Sequence, residues 1–222
     1  MAKVAAILVT ANPNHTAPDD AAMTKIDGRE SALRAIELMT NRDPITQVLL
    51  AVDPADAEEI KRRIGSHLMF MGTKLAQAAG GWYAQLAAAE AKLADDITHV
   101  LVHDAARPSV PYTDLEALLA VDAPAAALAL PVRGTLAKVT AVPGPGVVET
   151  IKVAVVLTPR LYDRATFATL CREMKEPPLQ LIEASPLNVR CNEASPAMVK
   201  AMVGLLPKPK VVRSNPFEEA QW

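Results

Sequence analysis

Asp104 and Arg107 stand three residues apart in the run Val100-Leu-Val-His-Asp-Ala-Ala-Arg-Pro108. Apolar residues give way abruptly to a carboxylate, two small residues, a guanidinium and a proline. A carboxylate suits a metal ion or a ribose hydroxyl, and an arginine suits a phosphate. The preceding residues read as a buried strand, which delivers both side chains to one edge of a sheet. In open α/β sheets, ligands bind just outside the carboxyl ends of the strands.

The elements around this string follow from hydrophobic spacing and turn chemistry. Val4–Thr10 reads as a first strand, followed by a polar loop over residues 11–27 with Pro13 and Pro18. Glu30–Thr40 has helical spacing, and Gln47–Val52 is a strand. Asp53-Pro54 caps a helix to about Ile64, and Leu68–Met71 is expected as a short strand. Gly80-Gly81 precedes an alanine-rich helix ending near Leu93. Thr98–Val102 is the strand of the opening string. Tyr112–Ala120 is a helix, and Ala125–Leu130 a strand. Leu136–Val142 and Val147–Lys152 flank Pro143-Gly-Pro-Gly146 and predict a hairpin. Thr158-Pro159 is expected to cap a helix to about Met174, Leu179–Glu183 to be a strand, and Ser195-Pro196 to cap a helix to about Leu206. The alternation predicts an α/β fold of three layers, a doubly wound and mainly parallel sheet with a projecting β-hairpin arm.

The chain has 222 residues, which fits one domain over residues 1–206, with the arm at about 134–153 and a tail at 207–222. Half the residues are hydrophobic but only 4% are aromatic, so alanine and valine fill the core. The 23 basic and 25 acidic residues give a net charge of −2, with no basic excess to attract nucleic acid. Cys171 and Cys191 lack metal-ligand spacing and form no disulfide framework. No signal peptide or membrane span is expected, and the cytoplasm is the default compartment.

The string His103-Asp-Ala-Ala-Arg-Pro108 resembles the signature of the 2-C-methyl-D-erythritol 4-phosphate cytidylyltransferases. Pro131-Val-Arg-Gly-Thr-Leu136 is similar to the family's Pro-Val-x-Asp-Thr segment, and Leu157-Thr-Pro159 to its Thr-Pro-Gln. Asn188-Val-Arg190, after Leu181-Ile-Glu183, is similar to its Asn-Ile-Lys. The resemblance spans about residues 4–206 and implies a Rossmann-like nucleotidyltransferase fold. It also implies transfer of CMP from CTP to a sugar-alcohol phosphate with loss of pyrophosphate. By resemblance, Asp104, Lys25 and Arg190 are catalytic, and Asp104 also holds Mg2+. Arg107, Thr135 and Ala105 bind substrate, Ala11 and Gly81 bind the nucleotide, and the arm pairs two copies into a homodimer. Asp104→Asn is then expected to abolish turnover while leaving the fold intact.

The chain also departs from that family. The family's first strand leads into Ala-Ala-Gly-x-Gly-x-Arg, whose glycines let backbone N–H groups cradle a triphosphate. Here no glycine occurs before Gly28 and no arginine before Arg29. Asp19 and Asp20 would repel a triphosphate, and Lys25 is the one lysine of the loop. Gly134 replaces an aspartate, and Arg190, a planar fork, replaces a point-charge lysine. Trp82 or Tyr83 could stack on a base, or simply pack the helix start. A second reading therefore stands beside the enzyme: a catalytically impaired homologue acting as a binding or regulatory protein.

Overall fold

The computed structural model describes residues 2–13, 20–40, 42–132, 136–138, 149–151 and 154–206. Among them a seven-stranded sheet forms the middle layer. Its strands are β1 (Val4–Val9), β4 (Ile45–Val52), β5 (Lys74–Gln77), β6 (His99–Asp104), β7 (Ala125–Pro131), β10 (Ala154–Asp163) and β11 (Gln180–Glu183). Their order is β11-β7-β10-β6-β1-β4-β5, and only β10 runs antiparallel to its neighbours. A two-stranded ribbon, β2 (Lys25–Ile26) with β3 (Arg29–Glu30), precedes the first helix. The arm is the antiparallel pair β8 (Leu136–Lys138) and β9 (Glu149–Ile151), with Leu136 opposite Ile151. The Pro143–Gly146 turn and the tail from 207 onward lie outside the described residues.

Side-chain alternation on β1 builds both flanking layers. Val4, Ala6 and Leu8 face a core shared with α1 (Ser31–Thr40), α2 (Pro54–Phe70), α4 (Tyr112–Leu119) and α6 (Pro196–Leu205). Ala5, Ile7 and Val9 face the other core, with α3 (Trp82–Glu90) and α5 (Arg164–Glu173). The small residues of β7 and α3 let the layers approach closely, which is how a core with few aromatic rings fills itself.

Two expected elements are corrected. Leu68–Met71 is no strand: α2 runs on to Phe70, because Ile60, Ile64 and Leu68 are buried on one helical stripe. The strand beyond it is β5. Thr158-Pro159 is no helix cap either. It lies inside β10, and the cap is Asp163, whose carboxylate accepts the Thr166 N–H at 2.6 Å. The caps at Asp53 and Ser195 hold as expected, accepting the N–H groups of Ala55 and Met198 at 2.9 and 3.3 Å.

Candidate active site

Every parallel strand of the sheet ends on one edge, and β6 carries the Asp104 string there. The string folds into a tight turn. The Asp104 carboxylate accepts the Ala106 N–H at 2.9 Å, and the Arg107 N–H reaches the Asp104 carbonyl at 3.0 Å. His103 Nε2 donates to the Arg107 carbonyl at 2.9 Å, and among the described residues its Nδ1 has no partner. Burial pushes His103 down to about 4, so the ring is neutral. On the far side, the Asp104 N–H donates to Thr158 Oγ1 of β10 at 3.1 Å.

The loop between β11 and α6 is stitched onto this turn. Arg190 Nε donates to Asp104 Oδ2 at 2.7 Å, with both side chains wholly buried. Arg107 Nη1 donates to the Asn188 carbonyl at 3.0 Å, and its Nη2 to both oxygens of Glu193 at 2.8 and 3.0 Å. Arg107 Nε lies 3.7 Å from Asp104 Oδ2. Asn188 Nδ2 donates to the Thr158 carbonyl at 2.7 Å, and the Cys191 N–H to the Ala106 carbonyl at 2.9 Å. Two carboxylates and two guanidinium groups thus balance in a small volume. Burial raises the Asp104 carboxyl, while Arg190, the Ala106 N–H and Arg107 pull it down.

This packing fixes what each expected residue can do. Arg190 is 1% exposed. It anchors Asp104 and does not face an open pocket as a phosphate-binding cation would. Both backbone groups of Ala105 are engaged in the fold: its N–H donates to the Val9 carbonyl at 2.9 Å, and its carbonyl accepts Ser31 Oγ at 2.8 Å. Its small side chain is what lets α1 and β1 close on the turn.

The metal reading of Asp104 does not fit this arrangement either. Both of its oxygens are hydrogen-bonded, and two guanidinium groups lie where a dication would be repelled. Among the described residues no three His, Cys, Asp or Glu side chains converge on a point.

Lys25 lies on the ribbon, exposed, with its ammonium 3.9 Å from Glu30. The ribbon reaches the site through Ser31, whose N–H donates to the Thr24 carbonyl at 2.9 Å while its hydroxyl holds Ala105. Ala11 follows β1, and its N–H donates to Gln85 Oε1 at 3.2 Å. Thr10 Oγ1 lies 3.4 Å from the same oxygen and 3.2 Å from the Ala51 carbonyl. Gly81 has φ +83° and opens α3 with no side-chain cap, leaving that helix N-terminus to the sheet edge. Trp82 is buried in the core and not a stacking platform, and Tyr83 packs partly buried beside it. A cavity of about 340 Å³ next to Thr10 is lined by Asp20, Asp56, Glu59 and Arg63, an acidic wall unsuited to a triphosphate. Thr135, His15 and Asp19 lie outside the described residues.

Three residues of the site carry no sequence signal as site residues: Ser31, Gln85 and Glu193. Ser31 sits where a helix-starting serine is commonplace, whereas Thr158 lies in the Leu157-Thr-Pro159 segment that resembles the family's. Gln85 and Glu193 are polar positions whose partners lie 74 and 86 residues away.

A doubly wound sheet with one reversed strand, a hairpin arm and a paired Asp–Arg turn at its C-terminal edge defines a Rossmann-like nucleotidyltransferase. Solved structures share this fold, two of them as follows. The 4-diphosphocytidyl-2C-methyl-D-erythritol synthase of Anaerococcus prevotii superposes with a TM-score of 0.67 at 14% identity, covering 92% of this chain and 96% of that one. The 2-C-methyl-D-erythritol 4-phosphate cytidylyltransferase of Thermus thermophilus gives 0.63 at 20% identity, covering 92% and 98%. A relative from Rhodopirellula baltica, bearing the same cytidylyltransferase name, is 31% identical over 192 residues, 74% of this chain and 79% of its own length. The family model for 2-C-methyl-D-erythritol 4-phosphate cytidylyltransferase matches residues 9–196. The chain belongs to that family.

Proposed function

We propose that this protein transfers a cytidylyl group from CTP to 2-C-methyl-D-erythritol 4-phosphate and releases pyrophosphate. The observation that carries the reading is the His103–Arg107 turn at the sheet edge, bound to the Arg190 loop through Asp104. In this reaction an oxygen of the acceptor's phosphate attacks the α-phosphorus of CTP, and the bond to the bridging oxygen of pyrophosphate breaks. Such transfers are accelerated chiefly by alignment and by neutralising charge on the oxygens.

Arg107 is the cation directed at the acceptor's phosphate. Asp104 and Arg190 act as a positioning pair that fixes the turn and the loop beside it. Thr135, at the base of the arm, hydrogen-bonds the acceptor. Lys25 answers the triphosphate from the ribbon, while the backbone at Ala11 and Gly81 borders the nucleotide. Members of this family generally depend on a divalent metal. Mg2+ belongs to this reading as the companion of the triphosphate, and no described residue is assigned to hold it. The working form is a homodimer joined through the arm, in the cytoplasm. No described helix is long and apolar enough to cross a membrane, and both cysteines are buried free thiols.

Pyrophosphate release, assayed with CTP, Mg2+ and 2-C-methyl-D-erythritol 4-phosphate, tests the reading. Release must require both CTP and the acceptor, and must fall when UTP or ATP replaces CTP. Absence of CTP binding at millimolar concentration in calorimetry would sink it.

A further inference from the structure

Glu193 meets the string from the water side. Its carboxylate takes both hydrogen bonds of Arg107 Nη2, at 2.8 and 3.0 Å, and accepts the Arg190 backbone N–H at 3.2 Å. The Arg107 side chain is 5% exposed and that of Glu193 48%. A buried, fixed guanidinium therefore turns its outer edge toward an anion that approaches from solvent. A guanidinium fork together with a backbone N–H is the donor set that also fits a phosphate.

The rest of the frame does not depend on that carboxylate. Arg107 Nη1 is held by the Asn188 carbonyl, and Arg190 has Asp104 as its own counter-ion. The Glu193 N–H bonds the Arg190 carbonyl at 2.9 Å, so the backbone turn closes without the side chain. Swinging the carboxylate into water would leave one net positive charge at the rim, with its donors already aimed outward.

We propose that Glu193 is an internal substitute for the acceptor's phosphate. It fills the oxyanion seat formed by Arg107 and the Arg190 N–H, and a phosphorylated acceptor enters by displacing it. This deepens the reading of Arg107 given above and rests on it. The arrangement makes Glu193 a specificity-determining residue. In the empty protein it keeps a buried cation paired, because an unpaired one is costly. It also sets a threshold, since a ligand must bring more negative charge than one carboxylate to replace it. A phosphate dianion meets that requirement, and an unphosphorylated sugar alcohol does not.

Inorganic phosphate is the probe, titrated calorimetrically into the full chain at constant ionic strength. Glu193→Gln keeps the size and removes the charge, and Glu193→Ala removes the whole group. Phosphate should bind each variant about tenfold more tightly than the wild type, a change of about 1.4 kcal/mol. In the transfer assay, KM for the acceptor should fall in Glu193→Gln while kcat changes less. Thermal melts check that each variant is folded. Equal phosphate affinity in the wild type and both folded variants overturns the proposal and leaves Glu193 a strut of the turn. Tighter phosphate binding by the variants of a protein that transfers no cytidylyl group supports the seat and sinks the reaction. Transfer with no gain in phosphate affinity does the reverse.

Discussion

Asp104→Asn tests the site most directly, and the packing changes what the substitution should do. From the string alone it is a quiet change at an active-site acid. In the structure, Asp104 is 0% exposed and its Oδ2 accepts the Arg190 Nε–H at 2.7 Å, while Arg190 is itself 1% exposed. Asparagine keeps an acceptor for the Ala106 N–H but turns either a neutral oxygen or an N–H donor toward a guanidinium. Arg190 then loses its Asp104 counter-ion while staying buried, and the group Asp104, Arg107, Arg190 and Glu193 becomes more positive by one charge. Breaking a buried pair from one side costs about 3–5 kcal/mol, against a total stability of about 5–15 kcal/mol for a domain. Urea unfolding at neutral pH, followed by circular dichroism, should show a loss of that size. Asp104→Asn/Arg190→Met removes both charges and should recover at least half of it, since no lone charge remains. A loss below about 1 kcal/mol in the single variant, or no recovery in the double, would refute the view that this pair holds the site together. Loss of turnover in Asp104→Asn then says nothing about chemistry until the folded fraction is known.

Other perturbations follow from the same geometry. Burial holds His103 at about 4, below the usual 6.5, so the unfolded chain takes up the proton first. The stability due to this residue is complete above pH 6.5 and falls as pH drops toward 4. Between about pH 7.5 and about pH 5 the loss is about 2 kcal/mol, and the difference curve against His103→Gln should show it. A flat difference curve would mean the ring is not held neutral. Gln85→Leu removes the acceptor for the Ala11 N–H, while the Thr10 hydroxyl keeps the Ala51 carbonyl at 3.2 Å. It should cost about 1–2 kcal/mol and raise KM for CTP more than it lowers kcat. An unchanged KM would separate that carbonyl from nucleotide binding.

The elements that could be read from sequence are those set by neighbours along the chain. β1 is a run of apolar residues, and Asp53-Pro54 and Ser195-Pro196 each combine a capping side chain with a proline at the first helical position. Sequence and structure part where a local pattern serves two masters. Leu68–Met71 resembles a short strand, yet Leu68 extends the buried stripe of Ile60 and Ile64. Thr158-Pro159 resembles a cap, yet pairing of β10 with β6 and β7 overrides it. The site divides in the same way. The Asp104–Arg107 turn was legible because its residues are adjacent in sequence. The Arg190 and Glu193 contacts span 86 residues, and only the folded sheet makes them. Resemblance brings Arg190 to attention, but its burial against Asp104 follows only from the packing.

The reversed strand has a consequence for how this chain can change. Pro131 at the end of β7 lies directly opposite Ala154 at the start of β10. The arm therefore departs and returns across a single rung of the ladder. Lengthening or trimming it shifts no register inside the sheet, and longer connections cost little closure entropy. The number of residues between Pro131 and Ala154 can therefore change without moving β6 and its turn.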